Sequence, residues 1–406
     1  MTIAYAEASA QPRNLSFLRT RRTAMFLWRC TIGVLFCQTL VGSLVAVGWT
    51  YRWMQRAALK QWWRKSGLEG QGGTFAAFTA GDVMTVAHVD PPKWFANQAP
   101  IGIDNSRTIR RTLSRFLGSL WLNLRTGFLA VANTLVITGP ASALWIFAWY
   151  AGWDNSFNKG YEQAPVGPIT GFSGVGLFIL AMMYVPMAQA RQAVSGDWRV
   201  FYQFRLNVRL MRACWLWMLL LAGVYAIASL PVHMIRIFPY FLHIANPSIA
   251  EMTATQQIEF MGGYYFWTTW VVLGLFFAVH LIAARIYASG VLRALRTNRV
   301  EPEELSAFEH HALERLGLAI KSEDRERHAL VRVVVGSTSL FARVGAVFAL
   351  VVVWFTFTAQ IFVAQFINYQ PIRAFANQPL VHAPWLNYIP GHLEEAAKVE
   401  LGPPVI

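Results

Sequence analysis

Two histidines fall inside long apolar runs of this chain, His233 and His280. An imidazole at membrane depth either ligates a haem or chlorophyll-type pigment, or ties itself to a neighbour by a hydrogen bond. Spacing decides whether the two can share a ligand. His233 falls at the outer end of one apolar run, and His280 lies near the inner end of the next. At 1.5 Å rise per residue they stand roughly 25–30 Å apart and cannot clamp one haem. The expectation is therefore no cofactor beyond bound lipid, with a pigment on a single histidine as the lesser alternative.

The segment Glu301-Pro-Glu-Glu-Leu-Ser-Ala-Phe-Glu-His-His-Ala-Leu-Glu-Arg-Leu looks at first like a metal cluster. Pro302 followed by Glu303 and Glu304 is a good helix start, and Leu305, Phe308, Ala312 and Leu316 form an apolar stripe. Adjacent histidines point about 100° apart on a helix, so His310 and His311 cannot grip one ion together. His310 with Glu314 has workable spacing, but two ligands do not make a metal site. No metal is expected, and the segment reads as an amphipathic helix docked on a partner or on this protein's own surface. Cys30, Cys37 and Cys214 form no CxxC pair, and no nucleophile elbow, Walker loop, GxGxxG or HExxH occurs.

The elements that must carry these residues follow from composition. Of 406 residues, 55% are hydrophobic and 14% charged, against about 25% charged in an average soluble chain. A hydrocarbon core about 30 Å thick needs about 20 apolar residues of helix. Five charge-free runs pass that test, and the spacing predicts spans near 127–150, 169–190, 213–234, 261–284 and 344–369. A sixth apolar segment, 30–51, has basic residues on both sides and either spans or is re-entrant. The fold class is an all-α, multi-pass transmembrane bundle with basic amphipathic helices. It divides into a basic amino-terminal region, 1–126, and a four-helix core, 127–284. A helical loop, 285–343, a final span, 344–369, and a proline-rich tail, 370–406, complete it.

Charge sets the orientation. Segments 191–212 and 285–343 hold five and ten Lys plus Arg, whereas 151–168, 235–259 and the tail together hold four. The positive-inside rule then places 191–212 and 285–343 in the cytoplasm and the tail outside, in a bacterial inner membrane. The net charge of +14 is read as attraction to anionic lipid and not to nucleic acid. Arg107, Arg111 and Arg115 recur at helical spacing, and Arg199, Arg205 and Arg209 follow in 191–212. All six are expected at lipid headgroups. The stretches Arg115–Arg125 and Arg199–Arg209 both end Leu-Asn-Leu/Val-Arg, 84 residues apart, which suggests a parallel repeat. Gly167, Gly171 and Gly174 offer a small-residue face for helix packing.

None of the five predicted spans contains Asp, Glu, Lys or Arg, which weighs against ion-coupled transport. The preferred expectation is a non-catalytic accessory or scaffold subunit, or a membrane organiser, with membrane lipids and other integral membrane subunits as partners. One alternative is a channel or transporter for a small neutral or lipidic solute, with Asn133, Thr134 or Thr138 lining a polar midplane. Another is a lipid-modifying enzyme with His310 and His311 at its surface.

Overall fold

The computed structural model describes residues 15–80, 82, 94, 109–148, 166–249, 251–319, 341, 344–356, 375–389 and 391–401. Among them the chain is all-α. The helices are α1 (Leu15–Phe36), α2 (Leu40–Lys65), α3 (Phe75–Ala80), α4 (Ile109–Phe147), α5 (Val166–Ser195), α6 (Phe204–Ala213) and α7 (Trp215–Ala245). They continue with α8 (Ala254–Arg296), α9 (Ala307–Arg315), α10 (Val344–Thr356) and α11 (Gly391–Leu401). Four are long and apolar enough to cross a membrane: Phe116–Phe147 of α4, α5, Trp215–Pro239 of α7, and α8. The fold is thus a multi-pass membrane bundle. Of the fifth predicted span, 344–369, the described part is α10; residues 357–374 lie outside the described set.

The segment 30–51 proves to be two helices. α1 stops at Phe36, and Thr39 opens α2 by accepting a hydrogen bond from the Gly42 amide at 3.0 Å. Side-chain contacts fix the directions. Trp49 stacks on Phe277 and the Trp62 indole donates to the Ala288 carbonyl, so α2 runs alongside α8 in the same direction. Gly33 packs on Leu273 and Phe26 on Phe277, so α1 runs against α8. The pair is therefore a re-entrant hairpin. It enters from the end that carries Arg52, Arg56, Lys60 and Arg64, turns at Cys37–Thr39 level with the middle of α8, and returns. Gly42 is required at the tip, since a Cβ there would lie 2.0 Å from the Phe36 carbonyl oxygen.

α2 is the hub and packs on α4, α5 and α8. Its crossing with α4 is backbone to backbone. A Cβ on Gly48 would sit 1.9 Å from the Asn123 carbonyl oxygen, and one on Gly127 would sit 1.8 Å from that of Leu44. Small residues permit such approach where no hydrophobic gain drives helices together in lipid. Gly174 plays a similar part against Trp145 and Ala141, while Gly167 and Gly171 are buried at the start of α5. Gly167 lies inside the helix, not just before it.

The two stretches of the suggested repeat are built differently. Arg115–Arg125 is continuous with the spanning helix α4, whereas Arg199–Arg209 breaks into a 3-10 turn, Trp198–Tyr202, and the separate helix α6.

Residues 375–389 re-enter this chain's own bundle, and Phe375, Leu380, Val381, His382, Leu386 and Tyr388 are buried there. Non-helical backbone at this depth needs internal partners. Asn377 supplies them: its Nδ2 donates to the Ala383 and Trp385 carbonyls, and its Oδ1 accepts from the Ala383 amide. Beyond it, α11 places the Glu400 carboxylate on the Ala254 and Thr255 amides, at 2.7 and 3.2 Å, at the start of α8. Those amide bonds hold the Glu400 carboxyl below the usual carboxylate range.

Candidate functional site

The end of the bundle bearing Arg191 and Arg285 is a rigid, basic platform. α8 has 43 residues, about 65 Å at 1.5 Å per residue, twice the hydrocarbon thickness. Its surplus projects past Arg285 and carries α6 and α9. A buried ion pair locks this assembly. Arg191 Nε lies 3.4 Å from Glu309 Oε1, and both side chains are fully buried. Asn207 Oδ1 accepts from Arg191, Tyr287 donates to Glu309, and the Ser306 amide donates to Glu309 Oε2 at 2.7 Å. Such a pair is held by the further hydrogen bonds its atoms make; of the Arg191 nitrogens, Nη2 has no protein partner. The sequence points to His310 and Glu314 on α9, but the charged residue that α9 buries, beside Phe308, Ala312 and Leu313, is Glu309. Glu314 is exposed, and among the described residues no group of three His, Cys, Asp or Glu could hold a metal. His311 instead bonds Asp82 at 3.1 Å, beside Arg315. Among the described residues His311 thus meets one carboxylate, that of Asp82, and no contact brings His310 to it.

Between α7 and α8 this end opens into a groove of about 800 Å³. The helices touch closely at the far end, where the Tyr264 hydroxyl donates to the Ile235 carbonyl. They part toward the platform. Trp217, Leu220, Leu221, Val224, Ile282 and Ile286 form the apolar walls, and Lys65, Arg285, Arg293 and Arg296 stand at the basic rim. Arg285, Ser289, Arg293 and Arg296 recur at helical spacing and so share one face of α8. Among the described residues no Asp or Glu lines the groove. The Lys65, Arg285 and Arg293 side chains make no hydrogen bond or ion pair to another described residue. Nearby, the Lys60 ammonium is held below the usual lysine range. Burial is the first cause, followed by Arg64 and Arg56, with Arg285 adding to the effect and Glu69 opposing it.

Of the arginines expected at headgroups, Arg205 and Arg209 line a second groove of about 610 Å³ with Phe204, Val208 and Arg212. Arg209 is also spent on Glu304 at 2.6 Å. The Arg199 guanidinium sits 5.9 Å from the centre of the Trp198 ring. Arg107 lies outside the described residues; Arg111 and Arg115 lie on α4, with side chains that are not described. Lys65, Arg285, Arg293 and Arg296 were missed as a set. Their signal was the spacing on α8, hidden by treating everything after residue 284 as loop.

His233 and His280 stay apart. His233 is on α7 beyond Ile235's contact region with the start of α8, while His280 is deep in α8 with its Nδ1 2.8 Å from the Phe276 carbonyl. Asn133, Thr134 and Thr138 are buried, and all three are engaged. Asn133 bonds Gln192 and Tyr202, Thr134 accepts from Gln189, and Thr138 meets His382 Nε2 at 2.7 Å. No family model, curated protein or solved structure matches this chain.

Proposed function

We propose that this protein is a non-catalytic membrane organiser or accessory subunit that gathers anionic lipid at its basic end. The observation that carries the reading is the groove between α7 and α8, apolar along its walls and ringed by four basic side chains with no acidic lining residue among those described. An acyl chain fits the walls, and a phosphate is the complement of guanidinium groups on one helix face. A partner subunit has a surface to use as well. In α10, Val344, Val347, Phe348, Val351 and Phe355 are exposed and only Val353 is buried, so nearly the whole circumference of that helix faces outward.

The test is thermal unfolding in neutral detergent with added phosphatidylglycerol or phosphatidylcholine. Phosphatidylglycerol should raise the midpoint by several degrees and phosphatidylcholine by less, because a ligand that binds only the folded state stabilises it. The Arg285→Gln, Arg293→Gln double variant should lose that difference. Equal shifts with both lipids, or a difference retained by the variant, would refute the reading.

A further inference from the structure

The cations around the basic groove do not converge on one point. Along α8, Arg285 and Ser289 are about 6 Å apart in axial rise, and Arg293 and Arg296 about 4.5 Å. Arg285 and Arg293 are separated by about 12 Å. The helix α2 adds Gln61 and Lys65 to the lining. It runs alongside α8 in the same direction, with Trp62 bonded to the Ala288 carbonyl. Continued along both helices, that contact sets Gln61 level with about Tyr287 and Lys65 level with about Val291.

The rim therefore divides in two along α8. The deeper set is Arg285, Ser289 and Gln61, one cation with two neutral hydrogen-bonding side chains, and it borders the apolar walls at Trp217, Ile282 and Ile286. The outer set is Lys65 and Arg293, with Arg296 one turn farther along. All four cations are exposed.

Charge decides what each set accepts. An acyl chain between the walls delivers its glycerol phosphate to the wall's edge, at Arg285. That phosphodiester carries one negative charge, and Arg285 alone balances it. It supplies no counter-charge to Lys65 and Arg293, and among the described residues no Asp or Glu lines the groove. A terminal phosphate monoester carries about −1.5 to −2 near neutral pH, which matches two cations. Its oxygens also suit the guanidinium fork of Arg293. Depth sets the order of the two phosphates. α8 is a membrane-crossing helix, so the sets lie one outward of the other. Two phosphates side by side at one depth would not meet both; a phosphate carried at the far end of a headgroup would.

We infer that the groove selects a phospholipid whose headgroup bears a second, terminal phosphate. Lys65 and Arg293 hold that phosphate, and Arg285, Ser289 and Gln61 hold the glycerol phosphate. The inference rests on the anionic-lipid reading of the same groove and narrows it to one lipid class.

The test is isothermal titration of short-chain lipids into the full chain in neutral detergent. The probes are phosphatidylinositol monophosphate, phosphatidylinositol, which lacks only the terminal phosphate, and the phosphorylated headgroup without acyl chains. The monophosphate lipid should bind about five- to tenfold more tightly than phosphatidylinositol, the worth of charge-assisted contacts at an exposed rim. The Lys65→Gln, Arg293→Gln double variant should abolish that preference and leave phosphatidylinositol binding unchanged, which also shows that the variant is folded. Arg285→Gln should weaken both lipids. Equal affinity for the two lipids, with both weakened by Arg285→Gln, would overturn the inference, leave the anionic-lipid reading standing and assign the outer cations to an acidic segment of a partner. A preference retained by the double variant would overturn it as well. An acyl-free headgroup that binds as tightly as the lipid would make this a site for a soluble phosphate and refute the lipid assignment. No binding of either lipid would refute both the inference and the reading beneath it.

Discussion

Two sets of buried polar residues in this bundle, one charged and one neutral, differ in how fully they are paired. At the basic end Arg191 and Glu309 are fully buried, and five neighbouring groups engage them or one another: Asn207, Tyr287, Ser306, Tyr184 and the Phe201 carbonyl; of the Arg191 nitrogens, Nη2 has no protein partner. At mid-depth Tyr51, Tyr225, His280 and Gln189 are equally buried, yet each keeps an atom without a protein partner. Burying an unpaired charge costs several kcal/mol, so charge in the interior must be locked. A neutral hydroxyl or amide left open costs about 1–3 kcal/mol, which a fold can carry at a few positions. The charged cluster therefore reads as architecture, fixing α9 to α5 and α8.

That contrast can be broken by substitution. The largest effect is expected from Glu309→Ala, which strands Arg191 and should destabilise the protein by about 3–5 kcal/mol, read by equilibrium unfolding in mixed micelles. The double variant Arg191→Leu, Glu309→Leu should recover most of that loss. A double variant as unstable as the single one would deny that the pair is coupled. Next comes Gly127→Ala, where the added Cβ would meet the Leu44 carbonyl oxygen at 1.8 Å. Forcing α2 from α4 should cost about 1–3 kcal/mol, and a neutral outcome would mean that the two helices do not cross so closely. Tyr51→Phe should shift stability by at most about 1 kcal/mol in either direction, because an unpaired hydroxyl is lost. A cost as large as that of Glu309→Ala would erase the distinction between the clusters.

At the surface the same rule predicts little. The Arg209–Glu304 pair has both side chains more than a third exposed, and Glu304→Gln should cost less than about 1 kcal/mol. Glu400 gives a pH signature. Its carboxyl is held low by the Ala254 and Thr255 amides. Its contribution is therefore present above the ordinary carboxylate pKa and is lost as pH falls through the lowered one. Amide exchange at Ala254 and Thr255, corrected for the intrinsic pH dependence, should lose protection over that acid range in the wild type. In Glu400→Gln it should show no such titration.

Much of the bundle was legible in the sequence because lipid imposes a coarse requirement. An apolar run such as Phe260–Ala284 must be a helix, and it lies within α8. Element ends were not legible. α4 begins at Ile109 and α8 runs to Arg296, since a helix leaving the bilayer need not stop at its first arginine. Segment 30–51 was legible as apolar but not as two helices. The deciding contacts, Gly42 on the Phe36 carbonyl and Gly48 on Asn123, are made with backbone brought close only by folding. The packing of the tail into the bundle was not legible, because its six prolines and lack of period say nothing about depth. Its burial depends on Asn377, which folds the backbone onto its own side chain. Arg205 and Arg209, expected at headgroups, lie on a groove beside α6, while the set Lys65, Arg285, Arg293 and Arg296 was not legible because it joins two helices brought together only by folding.

The most direct measurement of the account's central claim is photo-crosslinking in intact membranes with a phosphatidylglycerol carrying a diazirine on its acyl chain. Peptides from Trp217–Val224 and Ile282–Leu292 should carry most of the label, and Arg285→Gln with Arg293→Gln should reduce it several-fold. Label spread evenly around the lipid-facing helices, or placed identically by a phosphatidylcholine analogue, would contradict a basic end that gathers anionic lipid.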